Sequence, residues 1–164
     1  MVQGFTFIEV VLVIGILGLM TLIFYPDIRR STEIRKLENE AREVLTTMQR
    51  AKFQAVKTKL NHRVRFEYKD DVWFYDVEIE HQNGQWEVPL GFIRKTVTSN
   101  FTVEVEFPNQ NVVFSPLGII DNYDNQKNWI SLQSAKLKRH GQPDLREIFV
   151  LAGGSIHYKK SVSE

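Results

Sequence analysis

Gly4-Phe5-Thr6-Phe7-Ile8-Glu9, followed by an uncharged apolar run from Val10 to Tyr25, is the stretch on which the reading of this chain turns. Phe5–Tyr25 is 21 residues. As a helix it reaches about 32 Å, enough to cross the hydrocarbon core of a bilayer. One carboxylate stands in it, Glu9. An ionisable group in a membrane-length segment is expensive and marks a position with a use. Glu9 lies four residues after Phe5, about 6 Å along the helix. Two readings are open. The side chain snorkels to the lipid headgroups, or it pairs with a cation inside the apolar layer. Cleavage after Gly4 would expose an amine on Phe5, and that amine is the obvious partner. It is one turn away within a chain, and between chains it would draw a new subunit against an earlier Glu9. Low dielectric strengthens such a pair, though desolvation offsets much of the gain.

A cleaved secretory signal needs a basic start and small residues before the cut. Residues 1–8 contain no Lys or Arg, and the first alanine is Ala41. The segment therefore reads as a retained single-pass anchor. Arg29, Arg30, Arg35 and Lys36 all follow it. By the positive-inside rule alone, they would put that side in the cytoplasm.

Beyond Pro26 the helical pattern continues. Ile34, Leu37, Ala41, Val44, Met48, Ala51 and Ala55 recur in steps of three and four, one face of an amphipathic helix. Charged residues occupy the other faces, with opposite charges spaced as in Glu38–Arg42 and Glu33–Lys36. The pattern predicts a helix from about Phe5 to about Leu60, bent or loosened near Gly15, Gly18 and Pro26. From Arg63 the period becomes two. Val64, Phe66 and Tyr68 alternate with charged residues, as do Tyr75, Val77 and Ile79, and then Phe101, Val103, Val105 and Phe107 alternate with polar ones. These are half-buried strands. Asp70-Asp71 and Asn83-Gly84 are turn signals. Further strands are expected at Val112–Phe114, Trp129–Leu132, Glu147–Leu151 and Ser155–Tyr158, with Pro89, Pro108, Pro116 and Pro143 in loops. The expected class is α+β: a long N-terminal transmembrane-plus-amphipathic helix packed on an antiparallel β-sheet. The divisions are a leader at 1–4, the membrane segment at 5–26, the amphipathic half-helix at 27–62 and a β-rich globular domain at 63–164.

The chain has 164 residues, a net charge of +1 and no cysteine. Disulfides, cysteine-bound zinc and thiol catalysis are thereby excluded. The four histidines, His62, His81, His140 and His157, are scattered, and the H-E-x-x-H motif is absent. Gly153-Gly154-Ser155-Ile156-His157 lacks the last glycine of a nucleophile elbow, and no glycine-rich loop opens a helix. The chain does not read as an enzyme, and no cofactor is expected. Two weaker candidates remain. Asp121-Asn122-Tyr123-Asp124-Asn125 offers the hard oxygen ligands that calcium takes, with Asp121 and Asp124 as the acids, but Asx-turn chemistry explains the same residues. Residues 133–164 carry six Lys or Arg against three acids. Lys159 and Lys160 are the candidates there for contacting nucleic-acid phosphates.

The stretch from Gly4 to Glu9 and its apolar run resembles the N-terminal methylation signature of type IV prepilins and type II secretion pseudopilins. Gly18 and Pro26 also fall where these proteins have helix-loosening residues. The resemblance implies a prepilin peptidase that cuts after Gly4 and methylates the amine of Phe5. It implies Glu9 as the acid of subunit recruitment and a globular domain outside the inner membrane, in the periplasm or beyond. Val113-Phe114-Ser115-Pro116-Leu117-Gly118, Trp129-Ile130-Ser131-Leu132 and Ile148–Gly154 are similar to the domain of the GspH/FimT group. The implied function is that of a minor pseudopilin, a structural subunit of a type II secretion pseudopilus that serves protein secretion alongside other pseudopilins. The alternative is a FimT-like minor type IV pilin that binds DNA for uptake. Against it, the Gly-Arg basic motif of the DNA-binding members is replaced by Gly154-Ser155-Ile156-His157-Tyr158-Lys159-Lys160.

Overall fold

A computed structural model describes the backbone of residues 6–98, 100–139 and 142–162. The leader and Phe5 lie outside the described residues. One helix, α1 (Phe7–Thr58), accounts for nearly a third of the chain. Its 52 residues make it about 78 Å long. The helix assignment runs unbroken through Pro26. Its end is set locally. Lys59 turns into the left-handed region (φ 61°) and donates its N–H to the Ala55 carbonyl, a common way to terminate a helix.

The expected apolar stripe is the buried face. Leu37, Ala41, Val44, Met48, Ala51 and Ala55 are all fully buried, with Ile34 packed at the edge. The alanines keep this face low, so sheet side chains can approach the helix backbone closely. Opposite them lie Val64, Phe66, Tyr75, Val77, Ile130, Leu132 and Ile148. Phe66 stacks on Phe107 with ring centroids 5.9 Å apart and is tilted against Tyr75 at 6.1 Å.

Among the described residues nine strands follow, all paired antiparallel: β1 (His62–Lys69), β2 (Val72–Glu80), β3 (Trp86–Glu87), β4 (Lys95–Thr96), β5 (Phe101–Glu106), β6 (Asn111–Phe114), β7 (Trp129–Arg139), β8 (Gln142–Val150) and β9 (Ile156–Val162). They form two sheets where the sequence suggested one. The first has the order β3-β2-β1-β6, with β4 also paired to β2, and the second has the order β5-β7-β8-β9. Both rest on α1. The period-two pattern states which side of each strand is wet; it does not state which strands are neighbours. The chain changes sheets between β4 and β5, returns for β6, and leaves again before β7. No local residue pattern encodes those crossings.

The turns agree with their chemistry. Asp70 and Asp71 both adopt positive φ (51° and 60°), as a two-residue hairpin loop demands, and β1 pairs with β2 in register from His62–Ile79 to Lys69–Val72. Pro143 is not a loop residue. It is the second residue of β8, paired with Lys138 beyond a register shift in β7, a position near a strand start where proline is tolerated. The short strands β3 and β4 also escape the sequence reading, being too brief for periodicity to register. Gly154 (φ +73°) closes the loop before β9 against the loop before β7. A Cβ there would lie 1.8 Å from the Gly118 carbonyl oxygen, so only glycine fits.

Among the described residues no helix is long and apolar enough to cross a membrane. The side chains described in the apolar segment end at Thr21 and resume at Ile28.

Leu37→Ala should lower the unfolding free energy by about 2–5 kcal/mol, through lost burial and the cavity left behind. Phe53→Ala, on the same helix but 65% exposed, should change it by no more than about 0.5 kcal/mol. Denaturant titrations of both variants beside the parent check the pair, and equal losses would mean that the buried face is assigned wrongly.

Candidate functional site

The helix has two halves in different surroundings. Every described large apolar side chain from Phe7 to Met20 is exposed, with Phe7 at 85%. Every described residue from Thr6 to Thr21 is exposed, so no face of that stretch is covered by the described rest of the chain. A helix that is apolar all round needs an apolar environment all round: hydrocarbon, other helices, or both. Its hydroxyl at Thr21 is satisfied internally by the Leu17 carbonyl at 2.8 Å, as such an environment requires.

Glu9 sits at the start of this half, at the third helical position. Its carboxylate accepts the backbone N–H of Thr6 at 3.4 Å. This is the return contact of a capping box, with the negative charge at the helix N-terminus where the dipole favours it. Among the described residues no ion pair forms on Glu9. The two positions tied to it by the sequence reading, Gly4 and Phe5, lie outside the described residues. The site thus consists of a charge at the tip of an uncovered apolar rod.

A second polar constellation fixes the globular domain to this rod. Glu38 projects from α1 into sheet β5-β7-β8-β9. It accepts from Arg42 Nε at 2.8 Å, Arg146 Nε at 3.1 Å, Tyr158 Oη at 2.8 Å and Lys160 Nζ at 3.0 Å. Arg146 is nearly inaccessible and also binds Asp144 through two guanidinium nitrogens, at 2.6 and 3.2 Å. Burial alone would raise the Glu38 pKa. The hydrogen bonds from Lys160, Tyr158, Arg42 and Arg146 outweigh it and hold the carboxyl at about 2. Burial, and then the bond donated to Glu38, push the Tyr158 phenol well above its ordinary range. Only the Glu38–Arg42 pair was visible in the sequence, as an i,i+4 spacing. Arg146, Tyr158 and Lys160 are more than a hundred residues away in the chain, and nothing local announces that they meet.

This constellation decides what the basic candidates can do. Lys160 is engaged by Glu38. It lies one residue from Lys159 on β9, so the strand's alternation turns the two side chains to opposite faces. They do not form one patch. In the loop at 121–125, Asn122 accepts the Val113 N–H at 2.9 Å and donates to the Asn111 carbonyl at 2.8 Å. Asp124 accepts the Gln126 N–H at 2.8 Å. The Asp124 contact is an Asx turn, and the Asn122 contacts pin the loop to β6. Among the described residues no three His, Cys, Asp or Glu side chains are grouped to hold a metal ion, Asp121 and Asp124 included.

The pH dependence of Glu38 follows from its depressed pKa. Its contribution is fully present above the unfolded value of 4.5 and is lost as pH falls toward about 2. After allowance for solvent screening, Glu38→Gln should lose about 1–2 kcal/mol at neutral pH. The gap between parent and variant should close as the pH is lowered from 4.5 to about 2. Urea titrations at stepped pH measure it, and a gap that stays constant over that range would contradict the assignment.

The sequence matches no protein-family model and no curated protein. Among solved structures, the chain is similar to the type IV minor pilin FimU of Pseudomonas aeruginosa. One crystal form gives a TM-score of 0.56 at 15% identity, covering 81% of this chain and 96% of that one. A second gives 0.52 at 14% identity, covering 77% and 97%. The fold of this chain is therefore pilin-like: a long N-terminal helix packed on antiparallel sheets.

Proposed function

We propose that this chain is a minor subunit of a pilus-like filament, a structural protein with no catalysis of its own. The observation that carries the proposal is the exposed first half of α1. It is apolar on every side, marked by a single acid, and continuous with the helix that organises a pilin-like domain. In this reading a prepilin peptidase cuts after Gly4 and methylates Phe5. The Phe5–Tyr25 segment then holds the subunit in the inner membrane with its globular domain on the outer side. Assembly moves the same apolar surface from lipid to the helices of neighbouring pilins. Glu9 sets the register by pairing with the amine of an incoming Phe5. A misregistered helix would leave that carboxylate unpaired in an apolar layer, at a cost of a few kcal/mol.

The N-terminal resemblance fits both a type II secretion pseudopilus and a type IV pilus. The likeness to a type IV minor pilin favours the pilus of the two, and the secretion role of a GspH-like pseudopilin rests on the sequence resemblance. DNA uptake finds no support in the basic tail. Using Lys160 on a phosphate would break its pair with Glu38.

Glu9→Ala should leave the protein processed and membrane-bound but abolish its co-purification with partner pilins from sheared or extracted filaments. Wild-type incorporation of that variant would remove the pairing model. The mature terminus should be N-methylated Phe5. Intact-mass analysis of the protein from cells with an active prepilin peptidase reads this directly, and a retained Met1 would rule out processing.

A further inference from the structure

A cleft of about 870 Å³ opens between α1, just beyond its apolar half, and the far end of β7. Four cations, Arg29, Arg30, Lys36 and Lys136, face one carboxylate, Glu33, and Ile28 and Leu137 supply the apolar part of its lining. Glu33 is engaged by Lys36 at 3.4 Å. Among the described residues neither Arg30 nor Lys136 has an ion pair. The site is therefore built from segments a hundred residues apart, with cations and apolar side chains in one lining.

Its height relative to the apolar segment is set by the helix. Arg30 lies five residues past Tyr25, about 7–8 Å along the axis. The polar layer on each side of a bilayer is about 5–8 Å deep. With Phe5–Tyr25 in the hydrocarbon, the Arg29–Arg30 end of the cleft stands at the level of the lipid phosphates, and Lys36, about 16 Å past Tyr25, stands on the water side of it.

We propose that this cleft binds an anionic phospholipid of the leaflet facing the globular domain. Arg30 and Lys136 take the phosphate, with Arg29 and Lys36 adding field, while Ile28 and Leu137 meet the apolar start of the acyl chains. The proposal rests on the membrane-anchor reading above. It gives a use to the cations that follow the apolar segment, which the positive-inside rule would otherwise place in the cytoplasm. It also ties the domain to the bilayer through β7 as well as through α1, so the subunit would wait for assembly in one orientation.

The full chain, reconstituted in nanodiscs of phosphatidylcholine and phosphatidylglycerol in equal parts, is extracted in mild detergent, and native mass spectrometry counts the lipids retained. The parent should keep phosphatidylglycerol in preference to phosphatidylcholine. Arg30→Gln and Lys136→Gln should each reduce that preference about fivefold, while Lys159→Gln on β9 leaves it unchanged. Lys136→Gln is the decisive variant, because β7 is remote in sequence from the anchor. Undiminished preference in Lys136→Gln overturns the lipid site. So does release of the lipid by inorganic phosphate, which would make the cleft a free-anion site. A chain that fails to stay with the disc overturns the anchor reading and the lipid site together, whereas a chain that stays but shows no preference overturns the lipid site alone.

Discussion

Everything in this molecule hangs on the burial of one helical stripe. Leu37, Ala41, Val44, Met48, Ala51 and Ala55 lose all contact with water because two sheets close over them. Among the described residues the buried apolar side chains of the helix and both sheets form one cluster. Six fully buried positions on one face hold the helix axis in place relative to the domain. Large-to-small changes in such a face cost several kcal/mol each, which is a large fraction of the stability of a domain of this size. The rigidity has a consequence beyond stability. The same helix continues for about thirty residues past the core, so the orientation of the exposed rod is set by packing that occurs far from its tip.

The polar contacts reinforce that arrangement at one level. Glu38 gathers Arg42 from its own helix and Arg146, Tyr158 and Lys160 from β8 and β9. An isolated surface pair would contribute little. Here the carboxylate is partly withdrawn from water and receives several donors, so removing it strands Arg146, which is buried and already shared with Asp144. The outer face of the other sheet has its own network. Glu78, nearly inaccessible, binds Arg63 at 2.5 Å and Arg65 at 3.5 Å, and Arg63 lies over the Trp86 ring at 4.2 Å. These charges fasten elements to each other and are not available to a ligand.

Glu9 and the cleft at Arg30 and Lys136 stand outside those networks. Glu9 is the only charge on an apolar rod, where its energy depends on what surrounds it. In water it costs nothing, and in hydrocarbon or between helices it demands a partner. The cleft stands at the other end of the rod, where water and lipid headgroups meet. The two charged features bracket the apolar segment, one for each boundary of the layer it would occupy.

The residues alone determined most of the helix and singled out Glu9 as the candidate site. A step of three and four from Ile34 to Ala55 can bury only one face, and that face is the buried one. A carboxylate alone in a membrane-length apolar run is legible because the cost of placing it there does not depend on the fold. The alternating runs likewise stated that Val64, Phe66, Tyr75, Val77, Phe101, Val103 and Phe107 face inward, since side-chain direction in a strand has period two, but Tyr68 at the end of β1 is exposed and Glu78 is buried on the other face of β2. Tertiary structure alone decided that the strands divide into two sheets, that Arg146, Tyr158 and Lys160 converge on Glu38, and that Lys136 joins Arg30 in lining one cleft. Those are pairings between distant segments. They are chosen by which arrangement buries the most apolar surface while giving buried charges such as Arg146 and Glu78 their partners, a property of the whole chain that no short window of sequence contains.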